Sequence, residues 1–563
     1  MIRALTYDRV KPYILPVLIS LLAFFAGEGI FKIMAERSLG SIVRHNVGTI
    51  AVLAIIFLVC NEGIIPAIFD LKRTGLPSIN QAAPLALFAV VAGITVSVYG
   101  GLDIIYGGII FFIVLCLGLS VFFIFSEKPF HAFCLFWCMY PFLYFIQTQG
   151  GSIGFERPVI FDDLVVPFSS VYISILFCAS ILANLKKGTL FKDSNLRFIY
   201  WFILLSIPSM FYSQNPMKST AYFAFDIIVP VMYFIFALSA IKTRQQIESA
   251  VKFILLSLLI ISSITIYFYM RSGQAEGALD LSAAEGAMIP FATLASFAAV
   301  MFPMFFMFYK ITRNKIYPFL LFAFAMLVVL SDNRNSMLVL LFSCLLLFLF
   351  SKIAVSKKVF IVSVGLVCLF FAFFLSHALG IGVEIRHRLF FTISQLREGV
   401  DINEISSGRW EIWESAVRMI KDHPIMGIGA GMWQDNAFLY QSREYMSNLP
   451  GRGYFFYSAV DAHNFFLDLY LKYGVLPVLL FSYFLLNMLK KCSAAYKKET
   501  DSNAKRLIIA SFISLLVWIV LSIFEYRLYI YWLGTVLPGI FFWTLTVFVF
   551  KSVDTQAKQI EAV

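Results

Sequence analysis

The sequence predicts an all-α fold, a polytopic bundle of transmembrane helices that carries one large helical loop outside the cytoplasm. Hydrophobic residues make up 60% of the 563 residues and charged residues 14%. An ordinary soluble domain is about a quarter charged. Apolar runs long enough to cross a bilayer, about 20 residues each, recur along the whole chain with short breaks between them. We therefore expect the lipid bilayer to surround most of the chain.

Several of the candidate spans are short or interrupted by polar residues, so we expect about 12–16 transmembrane helices. The spans lie near 13–27, 47–66, 82–99, 104–126, 130–147, 164–185, 198–213, 222–241, 250–270, 286–309, 317–331, 336–351, 359–378, 465–489, 507–525 and 529–550. The first follows Arg3, Arg9 and Lys11, as in a signal peptide. The long membrane chain behind it favours an uncleaved first helix.

The basic residues predict the orientation of the chain. With the N-terminus in the cytoplasm, every short inside loop is positive and the C-terminus is also cytoplasmic, as the positive-inside rule requires. This pattern is typical of a bacterial inner membrane protein and explains the net charge of +11. The one long connection, 379–464, then lies outside, and its acidic residues outnumber its basic ones. We therefore expect no nucleic acid partner.

The type of basic residue also changes across the membrane. Lysine dominates the inside segments and arginine the outside segments. Orientation needs only charge, whereas arginine presents a rigid fork of donors that matches phosphate and carboxylate. This bias favours an anionic ligand on the outer face. Arginine is also common in structured loops, and the sequence leaves both explanations open.

The middle of the long loop predicts an amphipathic helix over 409–420. Its apolar residues follow the helical period and are Trp410, Trp413, Ala416, Val417 and Ile420. Ser406 and Ser407 can cap its N-terminus. We expect this helix to lie on the outer membrane surface. Arg409 would sit in its first turn, where the amide groups and the positive end of the dipole favour an anion.

The segment after this helix, Gly427-Ile428-Gly429-Ala430-Gly431, has the glycine spacing of a nucleotide loop. No βαβ unit surrounds it, so a dinucleotide site is disfavoured. The glycines instead predict a tight turn that returns the chain to the membrane. The eight cysteines form neither a disulfide framework nor a zinc pattern, and the loop has no acid-rich metal pattern. We expect no metal and no other cofactor.

Polar residues at three outer positions are candidates for a site. His463, in Asp461-Ala462-His463-Asn464, precedes an apolar helix, and a histidine in the first turn of that helix suits proton transfer. A histidine that merely lies at headgroup level is the structural alternative. Arg334 lies in the short turn 331–336, where an arginine is costly unless it is functional or paired, for example with Asp332. The loop near 148–163 contains Arg157 and can contribute to the same cavity.

Taken together, these motifs resemble the bacterial O-antigen ligase and O-antigen polymerase family. The resemblance covers roughly residues 330–480 and rests on Arg334, Ser407-Gly408-Arg409, Trp413, Ala416, Pro424, Gly427, Gly429, Gly431, Ala462-His463-Asn464 and Gly474. It implies a membrane-embedded, metal-independent glycosyltransferase of the inner membrane. Such enzymes take glycan from undecaprenyl diphosphate on the periplasmic face and tend to invert the anomeric carbon. The acceptor is lipid A–core for ligases, a growing repeat-unit chain for polymerases and a protein for related enzymes.

The resemblance also implies roles for residues and regions. Arg334 and Arg409 are the first choices to stabilise the diphosphate leaving group, and His463 is the candidate general base. Substrate binding is expected from Arg386, Arg388, Arg157, Asn464 and Asp461, the last two by orienting the histidine. We predict an N-terminal transmembrane region at 1–330, a family core at 331–490 with the catalytic periplasmic loop 379–464, and C-terminal transmembrane helices with a short cytoplasmic tail at 491–563.

A transporter, such as a flippase for a lipid-linked or small anionic substrate, is the alternative function. Transporters carry charged residues within their spans and broken helices in corresponding halves. This chain shows no internal repeat and few charges within its spans, of which Asp226 and Lys472 are the main ones. A purely structural protein would leave the histidine and the arginines without a purpose. The sequence therefore favours the glycosyltransferase.

Overall fold

The computed structural model describes residues 104–149, 168–185, 196–272, 291–312, 316–330, 334–350, 409–440, 462–524 and 537–560. Within these ranges the chain is helical apart from short turns, and they contain no strand. The all-α fold predicted from the sequence is confirmed. The predicted spans 13–27, 47–66, 82–99 and 359–378 lie outside the described residues, so the total number of spans stays a prediction.

The described part contains five helices that are long and apolar enough to cross a membrane. They are Pro216–Ala240, Arg244–Ser262, Ala295–Thr312, Val475–Lys498 and Ser502–Ile523. Each coincides with an apolar run of the sequence, because only a helix can satisfy every backbone amide and carbonyl within one segment inside lipid. The polytopic helix bundle is therefore also confirmed.

The chain divides into two compact units, and the first contains residues 1–153 and 245–289. Its described helices are α1 (Ile104–Phe125) and α2 (Pro129–Gln149), which pack along each other as a hairpin. Trp137 and Tyr140 of α2 are fully buried, with ring centroids 4.9 Å apart. Their stacking adds to the burial of a large apolar area within this unit.

The second unit contains residues 154–244 and 290–563. Its helices, numbered in chain order, are α3 (Phe168–Leu185), α4 (Leu196–Tyr212), α5 (Pro216–Phe223), α6 (Val229–Ala240), α8 (Phe291–Thr312), α9 (Ile316–Leu330), α10 (Arg334–Phe350), α11 (Arg409–Asp422), α12 (Trp433–Tyr440), α13 (Phe465–Tyr473), α14 (Val475–Lys498), α15 (Ser502–Phe524) and α16 (Leu537–Ile560). Helix α7 (Arg244–Ser272) begins at the last residue of the 154–244 segment and continues in the first unit.

Helix α15 is central to the second unit, since it packs against α8, α10, α13, α14 and α16. Aromatic rings fill the space between these helices. Trp518 of α15 lies 4.1 Å from the Phe542 ring and 5.5 Å from the Phe465 ring, measured between centroids. Phe465 is the first residue of α13 and is fully buried. The bundle core therefore holds the beginning of the helix that follows His463.

The predicted span 465–489 is wrong in one respect, because it is broken at Gly474 into α13 and α14. Gly474 has φ +86° and ψ −175°, a conformation that only glycine adopts readily. Apolar composition runs across the break, so hydropathy alone does not reveal it. The break leaves backbone groups that a continuous helix would satisfy. The Gly474 N–H donates to the Tyr470 carbonyl at 2.7 Å, and the Val475 N–H donates to the Ile425 carbonyl at 3.1 Å.

A second irregularity lies inside the continuous span Pro216–Ala240. Five residues, Ala224–Ile228, form a π-helical turn between α5 and α6. This turn contains Asp226, which is fully buried. Single π-turns within helices often lie at functional sites, because they redirect a side chain and leave backbone groups available. Asp226 and the groups that it contacts are therefore candidates for a functional role.

We predict that Gly474→Ala destabilises the protein. The added Cβ would fall on the carbonyl oxygen of Ile425, and the backbone conformation alone costs about 1–3 kcal/mol for a residue other than glycine. The measurement is the thermal unfolding midpoint of the full-length protein in lipid nanodiscs. Gly118→Ala in α1 is the matched control, because its Cβ would meet nothing within 4 Å and it lies within a helix. Equal midpoints for the two variants would show that the break is not constrained as described.

Candidate active site

The helix predicted in the long loop is confirmed, and it extends from Arg409 to Asp422 as α11. Its buried face agrees with the predicted one in part, since Ala416 is buried and Trp413 and Ile420 pack against the same core. Ile412, Ala416 and Met419 are buried, whereas Trp410 and Val417 are exposed. The reason is tertiary: α11 packs on other parts of the protein, and these contacts select which apolar side chains are covered. The buried apolar side chains of α11 therefore pack against other parts of the protein.

The contacts of α11 form a small hydrophobic core within the second unit, which we term the loop cluster. Its members are Ile412, Ala416, Met419, Ile428, Met432, Trp433, Ala437, Ala462 and Leu471. They come from α11, the glycine turn, α12, the residue before His463 and the end of α13. Arg418 extends this framework, since its Nη1 donates to the Tyr440 carbonyl at 2.9 Å and its Nη2 pairs with Glu414 at 2.8 Å. The loop cluster joins the beginning of α11 to the residue that precedes His463.

The predicted glycine turn follows α11. Gly427, Gly429 and Gly431 have φ values of +71°, +98° and +74°, in the left-handed region that favours glycine. A Cβ on Gly427 would fall on the Leu471 carbonyl, because the turn lies directly against the end of α13. The Ile428 N–H donates to that carbonyl at 2.7 Å. The glycines thus allow two backbone segments to approach and form hydrogen bonds.

A segment that the sequence did not single out holds the other side of the turn. Ser219 of α5 donates to the Ala430 carbonyl at 2.8 Å, and its hydroxyl also contacts that of Ser213 at 2.7 Å. Nearby, Lys218 pairs with Asp435 of α12 at 2.8 Å. The Asn-Pro pair at 215–216 is the one local signal of this segment, since an asparagine cap followed by proline marks the start of a helix. Nothing in the sequence links it to residues more than 200 positions away.

Arg409 is the first residue of α11, and its side chain reaches the start of α10. Its Nη1 donates to the Asn335 Oδ1 at 3.3 Å. Asn335 follows Arg334, the residue at which α10 begins. Ser336 Oγ lies 2.8 Å from Ser296 Oγ of α8, which fixes this end of α10 to the bundle. The structure therefore brings the N-termini of α10 and α11, each beginning with an arginine, to one place.

His463 lies before α13 rather than in its first turn, so the predicted position is corrected by two residues. Asn464 is the N-cap, and its Oδ1 accepts from the Phe466 and Leu467 N–H groups at 3.0 and 3.1 Å. His463 has φ +48° and a half-buried side chain. Because asparagine caps helices well, the helix begins after it and leaves the histidine in the turn. Ala462, on the other side of His463, belongs to the loop cluster.

The remaining candidate residues Arg386, Arg388, Arg157 and Asp461 lie outside the described residues. No side-chain geometry is described for Arg334. Among the described residues, no group of three or more His, Cys, Asp or Glu side chains is placed to hold a metal ion. The structure thus brings Arg409 to the start of α10, and it separately places His463 between its neighbour Ala462 of the loop cluster and the N-cap Asn464.

A buried ionic network involves α13, and only two of its members, Asp226 and Lys472, stand out in the sequence as charges within predicted spans. Lys472 Nζ lies 3.1 Å from Asp226 Oδ2 and 2.9 Å from Asp468 Oδ2. The Tyr473 hydroxyl donates to the same Asp226 oxygen at 3.4 Å. All three charged side chains are at most 7% exposed. The spacing of Asp468 and Lys472 on one helix was visible in the sequence, but their pairing with Asp226 was not.

The fold and the site define a class: a polytopic membrane protein in which the described part of the long connection packs on the bundle through glycines, and in which Arg409 joins the N-termini of α10 and α11. Residues 318–482 match a family model described as O-antigen ligase. This part of the chain is similar to the O-antigen ligase family, and the family resemblance seen in the sequence is confirmed. The match includes Arg334, Arg409 and His463. No match was found among curated proteins.

We predict that Asn464→Ala destabilises α13 by about 1 kcal/mol, because two backbone N–H groups lose their acceptor. Asn464→Ser retains a capping oxygen and is expected to lose only a few tenths of that value. Amide hydrogen exchange over 465–470 in nanodiscs measures the difference. Exchange that is equally fast in both variants would contradict a capping role.

Proposed function

We propose that the protein is a glycosyltransferase of the O-antigen ligase and polymerase type. It transfers a glycan from undecaprenyl diphosphate to an acceptor hydroxyl, in lipid A–core or in a growing repeat-unit chain, on the periplasmic face of the bacterial inner membrane. The observation that carries this proposal is the contact of Arg409 with Asn335. This contact unites two helix N-termini that begin with arginine, inside a domain that matches O-antigen ligase.

The convergence suits a diphosphate leaving group. The first turn of an α-helix directs backbone N–H groups and the positive end of the helix dipole toward an anion at its N-terminus. Arginine adds donors in a fixed fork that fits phosphate oxygens. Negative charge develops on the leaving diphosphate as its bond to the anomeric carbon breaks, and donors that are already oriented stabilise that charge most in the transition state. The donor lipid remains in the bilayer while its headgroup reaches this site.

The acceptor hydroxyl attacks the anomeric carbon and loses its proton in the same step. His463 is the residue proposed to take that proton, because an imidazole can accept it near neutral pH. Attack opposite to the departing diphosphate inverts the anomeric carbon. The half-buried turn at 462–464, held between the N-cap and the loop cluster, supports this role by keeping the imidazole at a defined place.

We predict that Arg409→Ala and His463→Ala lower glycan transfer by about 100-fold or more, since each removes a group that acts in the transition state. The assay uses purified protein, a polyprenyl diphosphate-linked glycan and a separate acceptor. The matched controls are Arg418→Ala, on the same helix, and His423→Ala, which packs against Tyr212. Both controls are expected to retain most of the activity. Equal losses in a variant and its control would mean that the site is wrongly assigned.

We predict that transfer continues in excess chelator, because fixed arginines and helix N-termini are proposed to stabilise the diphosphate. The rate with chelator should stay within about twofold of the rate without it, since no charge stabilisation would be lost. Loss of activity that one divalent ion restores would show that a metal takes part.

Transport of a lipid-linked sugar is the second candidate function, and the helix break and buried charges favour it. In this chain, however, the break is satisfied by backbone hydrogen bonds: the Leu471 carbonyl accepts from Ile428 and the Val475 N–H donates to Ile425. Lys472 is paired with two carboxylates. A transferase forms product in detergent, where no second compartment exists, whereas a transporter does not. Surface glycans of a deletion strain separate the two transferase types, since a missing ligase leaves lipid-linked polymer and a missing polymerase leaves single repeat units on the core.

A further inference from the structure

We propose that Lys472 is a positioning residue for His463, acting through the buried network with Asp226 and Asp468. The inference rests on the proposed function, because it assigns the network to the reaction in which His463 is the base. Lys472 itself lies at the opposite end of α13 from the histidine. Its effect must therefore pass through the helix and through the acids that it binds.

One end of the network is fixed in the bundle. Asp226 lies in the π-helical turn between α5 and α6 and is fully buried. Its Oδ2 accepts from Lys472 and from Tyr473, two consecutive residues at the end of α13. Because the turn belongs to the continuous span Pro216–Ala240, it provides a rigid anchor. The C-terminal end of α13 is thereby attached to a membrane helix as well as to the glycine turn.

The other end of the network reaches the residue before His463. Asp468 pairs with Lys472 one helical turn away, and the backbone amide of Ala462 contacts its carboxylate. The Asp468 N–H in turn donates to the Asn464 carbonyl at 2.9 Å. Ala462 and Asn464 flank His463 on both sides. Asp468 therefore connects the buried ammonium to the backbone that sets the position of the imidazole.

The chemistry of the network suits a positioning role better than a stabilising one. Replacing a buried ion pair by apolar side chains of similar size is often neutral or stabilising, because burying charges is costly. An ion pair instead fixes the distance and direction between its members. Two carboxylates share one ammonium here, so removal of Lys472 leaves two buried acids that cannot both remain ionised. Loss of the lysine charge is therefore expected to change the geometry of the network.

Lys472→Met is the primary test, in full-length protein in nanodiscs. Turnover is expected to fall about 10- to 100-fold, since a displacement of about 1 Å costs up to about 100-fold. The KM for the donor should stay within about threefold, because substrate binding is left intact. Lys472→Arg keeps the charge and should recover most of the turnover. Asp226→Asn keeps the shape of the side chain and leaves one acid for the lysine. It is expected to lower turnover as well. This variant provides the test if Lys472→Met does not fold.

A second readout does not depend on activity. Mass spectrometry follows the exchange of the C2 hydrogen of each imidazole with deuterium, and His423 serves as the internal reference. We expect Lys472→Met and Asp226→Asn to change the exchange rate at His463 alone, and Asp435→Asn, which breaks a surface ion pair, to change neither. An unchanged rate at His463, or equal changes at both histidines, would overturn the positioning role even if turnover falls. A wild-type protein that transfers no glycan, while His463 still responds, would overturn the proposed function and support the network.

Discussion

The hydrogen bonds between the turn at 425–428 and the end of α13 are the interaction on which the rest of the site depends. The Ile428 N–H donates to Leu471, and the Val475 N–H donates to Ile425. These bonds satisfy backbone groups that the break at Gly474 would otherwise leave without partners in a low-dielectric region, where such groups cost several kcal/mol, on the order of 2–7. The same bonds attach the described part of the long loop to the bundle. This part of the loop and the end of α13 therefore form one hydrogen-bonded framework beside the candidate site.

This framework explains how a long connection can carry chemistry that requires exact placement. Arg409 begins a helix whose face is covered by the loop cluster, and His463 lies in a turn that is held on both sides. Preorganised polar groups contribute to catalysis because they need not be reoriented when charge develops. The packing around Arg409 and His463 thus provides the fixed positions that the proposed chemistry requires.

The local features of the sequence predicted much of this framework, whereas its long-range contacts could not be predicted. The helix predicted at 409–420, the glycine turn and the apolar spans follow from periodicity, backbone freedom and hydropathy. The buried face of α11 followed only in part, because neighbours far along the chain select which of its apolar side chains are covered. The break at Gly474 was hidden by apolar residues on both sides. The pairing of Asp226 with Lys472 joins residues 246 positions apart, and no local pattern encodes such a contact.

The glycine turn has a consequence for how the domain can diversify. Its contacts with α13 use backbone atoms, which Gly427 keeps within reach, while Gly429 and Gly431 lie against side chains of the segment 213–222. Side chains such as Ile425 and Met426, which are exposed beside the turn, take no part in holding it. Substitutions at such positions can therefore change the surface of the domain while the backbone hydrogen bonds between the turn and α13 stay in place.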